Sequence, residues 1–170
     1  MSCDRYRSVI TSITVPNALD VINYYKKLFN TEEKTLMLDD NNKVIHSQIL
    51  FGSTTFMISD EFPDMPKVSL PKEDNPITFY IYVDNVDEVF NRAVQMDSKI
   101  LYPLENQFYG DRTATIVDPY GFRWTIATHI KDMVDDQMMK NIQQTGSGEI
   151  NYRKKYRKYR NKLRQMKNDY

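Results

Sequence analysis

His46 is the side chain best suited to acid–base chemistry in this sequence. It lies in the run Val44 to Phe51, whose alternation predicts a strand with His46 and Gln48 on one face. Histidine is suited both to proton transfer near neutral pH and to metal binding. Three roles remain open for His46: a hydrogen-bonded residue at the rim of a sheet, a ligand-binding or catalytic acid–base group, or a divalent metal ligand with Asp60 or Glu61. Gln48 is a candidate ligand-binding residue beside it.

A second candidate site lies on the loop Gln107-Phe108-Tyr109-Gly110-Asp111-Arg112, whose glycine permits unusual backbone angles. Adjacent residues of a strand point to opposite faces, so we expect one of Asp111 and Arg112 to brace the loop and the other to reach a binding cleft. A guanidinium can hold a carboxylate or phosphate with two hydrogen bonds, which makes Arg112 a candidate ligand-binding residue. The alternative is an internal ion pair of Arg112 with Asp118 or Glu105.

Three tyrosines and a threonine complete the candidate binding residues. The run Ile77 to Val83 alternates, so that its apolar residues, Ile77 included, pack under a helix while Tyr80 and Tyr82 share the opposite face. Thr125 is expected on the same open face, because its apolar neighbours take the covered one. With Tyr109, these side chains would line a cleft suited to a flat or hydrophobic ligand, although aromatic core packing is the alternative.

These candidates lie in two copies of one unit. Residues 15–23 reappear as residues 83–91, with four of nine identical at a constant offset of 68, and Phe56 falls on Trp124 at the same offset. A register kept over about 50 residues predicts a duplicated supersecondary unit. Each copy is typical of the order β-α-β-β-β, and we expect the two copies to face each other across one cleft.

The units are separated and followed by segments of different composition. Four prolines within 14 residues predict an extended linker, and Asn17 and Asn85 are suited to cap the two helices. The predicted boundaries are modules at about 8–62 and 77–130, a linker at 63–76, a C-terminal helix at 131–145 and a basic tail at 146–170. Residues 1–130 would then form the folded domain.

Charge is distributed unevenly along the chain. Of 23 basic and 23 acidic residues, nine basic and one acidic lie at 151–170, so this segment carries +8 and the remainder −8. The segment also has an apolar stripe at helical spacing: Tyr152, Tyr156, Tyr159, Leu163 and Met166. Three interpretations compete: a helix that docks on the acidic domain, a contact with nucleic acid or an anionic surface, and a disordered solubilising tail.

Cysteine content and hydropathy bear on the compartment. The single cysteine, Cys3, cannot form a disulfide framework, which favours a reducing compartment. No basic start precedes an apolar run, and no stretch approaches the ~18 apolar residues of a membrane helix. We therefore expect a cytoplasmic protein without a membrane span.

Several motifs in order resemble the glyoxalase, bleomycin-resistance and extradiol-dioxygenase superfamily, with the vicinal oxygen chelate fold, over residues 8–130. The strongest is Asp118-Pro119-Tyr120-Gly121-Phe122-Arg123-Trp124. Further segments resemble the PhnB-like branch: 24–29, 44–48, 58–61, 107–113 and 127–129. The resemblance implies an α+β fold in which two tandem βαβββ modules form a half-open barrel, here followed by a helical basic extension.

The resemblance also implies where a metal would bind. The family's metal enzymes take ligands from the first and last strand of each module, and these positions fall on Ile10, Met57, Thr78 and Thr125. None supplies carboxylate or imidazole, which divalent ions prefer. No cofactor is therefore predicted, and a divalent metal would require a displaced site around His46.

Three function hypotheses follow. The first is a protein that binds a small organic molecule in the cleft, of the bleomycin-resistance or PhnB-like type, as a homodimer. The second is a metal-dependent lyase or dioxygenase with a displaced site around His46. The third is a nucleic-acid-associated module that acts through its basic tail. Whether the protein is an enzyme stays open, because a fold alone does not define an activity.

Overall fold

The computed structural model describes residues 9–65, 70–71, 75–134 and 137. The chain divides into two compact units, Met1–Lys72 and Glu73–Tyr170. In the described residues each unit has the order β-α-β-β-β, as the repeat predicts. The predicted α+β fold with tandem βαβββ modules is therefore confirmed.

Each unit contains one four-stranded mixed sheet. The first unit contains β1 (Thr11–Val15), α1 (Ala18–Phe29), β2 (Glu32–Leu38), β3 (Val44–Phe51) and β4 (Thr54–Asp60). The second contains β5 (Thr78–Tyr82), α2 (Val86–Gln95), β6 (Lys99–Asn106), β7 (Asp111–Val117) and β8 (Arg123–His129). The strand orders are β1-β4-β3-β2 and β5-β8-β7-β6, in which the first pair of each sheet is parallel and the others antiparallel. The duplication in the sequence thus produces the same topology twice.

Both helices begin at the predicted asparagine caps. The side chain of Asn17 accepts a hydrogen bond from the N–H of Asp20, and that of Asn85 accepts from the N–H groups of Asp87 and Glu88. These bonds satisfy backbone donors that have no partner within the first turn of a helix. The two caps are 68 residues apart, at the offset of the repeat.

A side chain from the last strand of each unit also holds the start of its helix. Asp60 Oδ1 accepts from Ala18 N at 3.0 Å, and Thr128 Oγ1 accepts from Val86 N at 2.8 Å. Asp60 and Thr128 occupy equivalent positions in the repeat. Asp60 is only 4% exposed, and its Oδ2 accepts a second bond, from Val44 N at 2.6 Å. This carboxylate therefore joins the starts of α1 and β3 to the end of β4.

The apolar face of each helix packs on one face of its own sheet. In the second unit Phe90 of α2, Ile116 of β7 and Trp124 and Ile126 of β8 are almost fully buried. Strand alternation therefore places the residues between them on the open face, as predicted. Ile77 was wrongly expected under the helix: it is 59% exposed, because it precedes the first residue of β5 and lies beyond the sheet.

The chain leaves the second sheet across a glycine turn. Gly110 O accepts hydrogen bonds from both Ile130 N and Lys131 N at 3.0 Å, and Gly110 has a φ of 100°. Residues 131–134 are not helical, so the helix predicted at 131–145 does not begin at Lys131. The remainder of that helix, apart from residue 137, and the tail 146–170 lie outside the described residues.

Candidate functional site

A pocket lies on the open face of the second sheet. Its volume is about 230 Å³. The lining residues come from all four strands and the loop after β6: Tyr80, Tyr102, Pro103, Glu105, Gln107, Tyr109, Thr113, Thr115 and Thr125. The pocket is thus built entirely within the second unit.

The floor and walls of this pocket follow from one row of cross-strand neighbours. Tyr80 pairs with Thr125, Thr125 with Thr115, and Thr115 with Tyr102. Side chains directly opposite each other share a face of the sheet. The two small threonines on the central strands form the floor, where their hydroxyls lie 2.9 Å apart, and the tyrosines on the edge strands rise at either side.

One end of the pocket is polar. Gln107 Nε2 donates to Thr113 Oγ1 at 2.9 Å, which fixes the amide across the loop. Glu105 pairs with Thr113 in the register of β6 and β7 and therefore shares its face. Tyr109 lines the pocket together with these residues. The pocket thus combines aromatic walls with fixed polar groups, as small-molecule sites commonly do.

A buried carboxylate beside the pocket gathers a tyrosine and a histidine. Asp111 is 3% exposed; it accepts from the Tyr82 hydroxyl at 2.7 Å and lies 2.8 Å from His129 Nδ1. The Tyr80 hydroxyl lies 3.5 Å from the same carboxylate. His129 Nε2 is in turn 2.9 Å from Asp132 Oδ1. Asp111 therefore fixes the tyrosines of β5 and the histidine that ends β8.

These contacts shift the protonation equilibria of the cluster. Burial raises the pKa of Asp111, but hydrogen bonds from His129 and Tyr82 outweigh it, and the net pKa is lowered. The hydrogen bond to Asp111 is the main reason that the pKa of Tyr82 is raised. Burial, then the bond with Tyr109, raises the pKa of Tyr80. At neutral pH the cluster therefore holds an ionised Asp111 and neutral phenols.

We expect His129 to make stability depend on pH. Its pKa is raised, first by the hydrogen bond to Asp111 and then by Asp132. The resulting stabilisation is complete below the unfolded pKa of about 6.5 and is lost as pH rises through the higher folded pKa. The free energy of unfolding should therefore fall as pH rises above about 6.5, and His129→Gln should flatten this slope. Urea unfolding at a series of pH values measures the free energy of unfolding. An NMR titration of the folded protein in which His129 has a midpoint at or below about pH 6.5 would contradict the prediction.

Asp111 and Arg112 point to opposite faces of the second sheet, as expected for adjacent residues of a strand. Asp111 lies on the open face, whereas Arg112 points to the helix side, where its Nε and Nη2 donate to the two carboxylate oxygens of Asp87, both at 2.7 Å. Arg112 also donates to Asn106. The hydrogen bond from Arg112 is the main reason that the pKa of Asp87 is lowered. The ion-pair partner seen for Arg112 is therefore Asp87 of α2, which is 25 residues away in the sequence.

His46 and Gln48 lie together on β3 of the first unit. Their Nε2 atoms are 3.2 Å apart, and both side chains are half-buried. Asp60, an expected partner of His46 in a metal site, instead accepts the two backbone N–H groups of Ala18 and Val44. The structure therefore brings Tyr80, Tyr109 and Thr125 together in one pocket of the second unit with Tyr82 beside them, and it places His46 next to Gln48 in the first unit.

A metal does not fit the positions that the family resemblance implies. Ile10, Met57, Thr78 and Thr125 offer no carboxylate, imidazole or thiolate. Across residues 9–65, 70–71 and 75–134, no three His, Cys, Asp or Glu side chains are grouped so that they could hold a metal ion.

The Asp111 and His129 pair was missed in the sequence interpretation. The two residues are 18 positions apart, and only the register of β7 against β8 makes them direct neighbours. Their segments, 107–113 and 127–129, both carried the resemblance to the PhnB-like branch, and this was the available signal. From the sequence alone, without the strand register, no hydrogen-bond partner of His129 could be identified.

Two tandem βαβββ units define the fold class of this protein. Comparison with known proteins identifies its family. The chain belongs to the Glyoxalase/Bleomycin resistance protein/Dioxygenase superfamily, whose family model matches residues 8–126. This confirms the resemblance noted in the sequence.

Relatives and solved structures agree with this assignment. An uncharacterized protein of Mycobacterium tuberculosis is 27% identical over 140 residues, covering 80% of this chain and 82% of that protein. The PhnB protein from Bacillus cereus has a TM-score of 0.58 at 22% identity, covering 72% of this chain and 99% of that one. TioX from Micromonospora sp. ML1 has a TM-score of 0.58 at 17% identity, covering 74% and 100%. At these identities the two structures show a shared fold.

No described helix is both long enough and apolar enough to cross a membrane.

Proposed function

We propose that the pocket of the second sheet binds a small organic molecule. The observation that carries the proposal is the row Tyr80, Thr125, Thr115 and Tyr102, which makes a narrow floor between two aromatic walls. Aromatic rings supply contact area at little entropic cost, and the threonine hydroxyls can orient polar groups of the ligand.

The pocket volume restricts the size of the ligand. At about 230 Å³ it is smaller than the roughly 300–1,000 Å³ common for drug-sized ligands. A compound with one ring and a short polar substituent suits this space. Binding is proposed without a metal, because the implied ligand positions carry no suitable donors.

The proposal predicts that small aromatic compounds such as phenol, benzamide and indole bind at this pocket. Their titration should shift the NMR methyl signals of Thr113, Thr115 and Thr125, with millimolar to high-micromolar dissociation constants, and EDTA should leave the shifts unchanged. Thr125→Phe should weaken binding at least about tenfold, because the larger side chain fills the floor.

A matched control is Met57→Phe, since residue 57 occupies the position of Thr125 in the first unit's copy of the repeat. We expect this variant to bind as the unaltered protein does. If none of the compounds shifts the three threonine signals, or if Met57→Phe weakens binding as much as Thr125→Phe, the pocket is not the binding site.

Other predictions concern assembly and partners. We propose that the protein is a cytoplasmic homodimer, on the basis of the family resemblance and the single cysteine. We also propose that the basic tail docks, through charge attraction, on the remainder of the chain, whose net charge is −8. The tail lies outside the described residues, so its docking and the alternative contact with nucleic acid stay predictions. The metal-dependent alternative around His46 lacks a supporting group of ligands among the described residues, and metal analysis of the purified protein tests it.

A further inference from the structure

A second pocket lies in the first unit, beyond the end of β4. Its volume is about 500 Å³, which is within the roughly 300–1,000 Å³ that small-molecule sites commonly have. The lining residues come from the loop after β1, the turn before β3 and the segment after β4: Pro16, Lys43, Glu61, Phe62, Pro63 and Met65. All six belong to the first unit, so this pocket shares no residue with the pocket of the second sheet.

The ammonium group of Lys43 is held in place at this pocket. Its Nζ donates to Glu61 O at 3.0 Å and lies 5.4 Å from the centroid of the Phe62 ring. The backbone N–H of Lys43 donates to Asp39 Oδ1 at 2.8 Å, which fixes the turn between β2 and β3. A lysine ammonium has three N–H donors, so one hydrogen bond to a carbonyl leaves two that a ligand can occupy.

A carboxylate lines the same pocket beside this ammonium group. Glu61 N donates to Val15 O at 3.0 Å, which continues the parallel pairing of β1 and β4 as far as Glu61. In the part of the chain that the structure describes, no side-chain ion pair joins Glu61 or Lys43 to each other or to another residue. The pocket therefore presents one positive and one negative group, and both can pair with a ligand.

Two further carboxylates near Lys43 bear on the charge of that ligand. Asp39 Oδ1 accepts two backbone N–H groups of its own turn, and Asp60 accepts the N–H groups that begin α1 and β3. A ligand that is only an anion would be repelled by these aspartates and by Glu61. A ligand with both charges can instead pair its carboxylate with Lys43 and its ammonium group with Glu61.

The rest of the lining is apolar. It consists of two proline rings, the Phe62 ring and the thioether of Met65, which is 44% exposed. An apolar side chain on the ligand would remove part of this surface from water, at a gain of about 25 cal/mol per Å². The lining thus combines two opposite charges with apolar contact area.

We propose that this pocket binds a free α-amino acid with an apolar side chain, whose carboxylate contacts Lys43 and whose ammonium group contacts Glu61. The site goes beyond the small-molecule pocket of the second sheet, and neither proposal depends on the other.

Three probes that share a phenylethyl group test this in the full-length protein. L-Phenylalanine carries both charges, 3-phenylpropionate lacks the ammonium group and 2-phenylethylamine lacks the carboxylate. We expect L-phenylalanine to bind at least about tenfold more tightly than either, because only it can make both charge-assisted contacts. The NMR shifts of the Met65 methyl group and of the backbone amides of Lys43 and Phe62 report each dissociation constant.

Two variants assign the preference to the two charged groups. Lys43→Met keeps an unbranched side chain over Phe62 and should weaken L-phenylalanine about tenfold without weakening 2-phenylethylamine. Glu61→Gln keeps the side-chain shape and should weaken L-phenylalanine about fivefold without weakening 3-phenylpropionate. The matched controls are Lys27→Met in the last turn of α1 and Glu33→Gln, which pairs with the opposite end of β3, and both should bind as the unaltered protein does.

Several outcomes would overturn the proposal. If 3-phenylpropionate or 2-phenylethylamine binds as tightly as L-phenylalanine, a single charge suffices and the ligand is not an amino acid. Equal weakening by Lys43→Met and Lys27→Met would show that only the overall charge matters. If L-phenylalanine does not shift the Met65 signal at millimolar concentration, the pocket is not an amino-acid site. Should Lys43→Met fail to fold, Glu61→Gln and the three probes still decide the question.

Discussion

Asp60→Ala should lower the free energy of unfolding by about 3–5 kcal/mol. The carboxylate is 4% exposed and accepts backbone N–H groups from Ala18 and Val44, which begin α1 and β3. A hydrogen bond to a charged group contributes about 1.5–3 kcal/mol, and the buried donors left without a partner carry a desolvation cost. Urea unfolding of the full chain measures the loss.

An aspartate in the neighbouring turn provides the control. Asp40 is exposed, so Asp40→Ala should change stability by no more than about 0.5 kcal/mol. The loss of stability in Asp60→Asn should lie between the losses in Asp40→Ala and Asp60→Ala. The amide oxygen of the asparagine can accept one of the two hydrogen bonds, but its NH₂ group faces the other N–H donor. A loss below about 1 kcal/mol for Asp60→Ala would show that Asp60 does not hold the first unit together.

Gly110→Ala should destabilise the second unit by about 2–4 kcal/mol. At a φ of 100° an L-residue is strained, and an added Cβ would lie 1.9 Å from the carbonyl oxygen of Lys131. That oxygen belongs to backbone whose N–H groups at positions 130 and 131 donate to Gly110 O, so relief of the clash requires breaking these bonds. Thermal unfolding of the full chain measures this effect.

Gly52 provides a control that distinguishes backbone strain from the steric clash of an added Cβ. It also has a positive φ, of 59°, but a Cβ there would meet no atom within 4 Å. Gly52→Ala should therefore cost only the left-handed conformation, about 1 kcal/mol. Equal losses in the two variants would mean that the segment after Ile130 does not restrain Gly110.

The two units use equivalent positions for different purposes. Asp60 and Thr128 both accept from the first N–H of their helix, but Asp60 also accepts from Val44 N at the start of β3, whereas Thr128 donates to Val83 O just after β5. Residue 57 is methionine where residue 125 is threonine, and the pocket with tyrosine walls belongs to the second unit alone among the described residues. The two units thus share one topology, and the residue types on the open face of the second unit provide the candidate site.

The sequence by itself determined the repeated fold. The offset of 68 residues, the asparagine caps and the alternation of Phe79, Tyr80, Ile81 and Tyr82 are local signals, because helix caps and strand faces depend on residues close together in the chain. These signals correctly predicted both capped helices and, apart from Ile77, the covered face of the second sheet, and the motif that begins at Asp118 predicted the superfamily. They also selected Tyr80, Tyr109 and Thr125, which the structure brings to one pocket.

Only the tertiary structure decided which charged groups meet. Arg112 had Glu105 and Asp118 as acidic neighbours in sequence, yet the packing of α2 on the sheet gives it Asp87, which is 25 residues away. Asp111 and His129 become neighbours through the pairing of β7 with β8. Ion pairs and hydrogen bonds require atoms within a few ångströms, and that proximity depends on strand register and helix docking, which residue types alone do not specify.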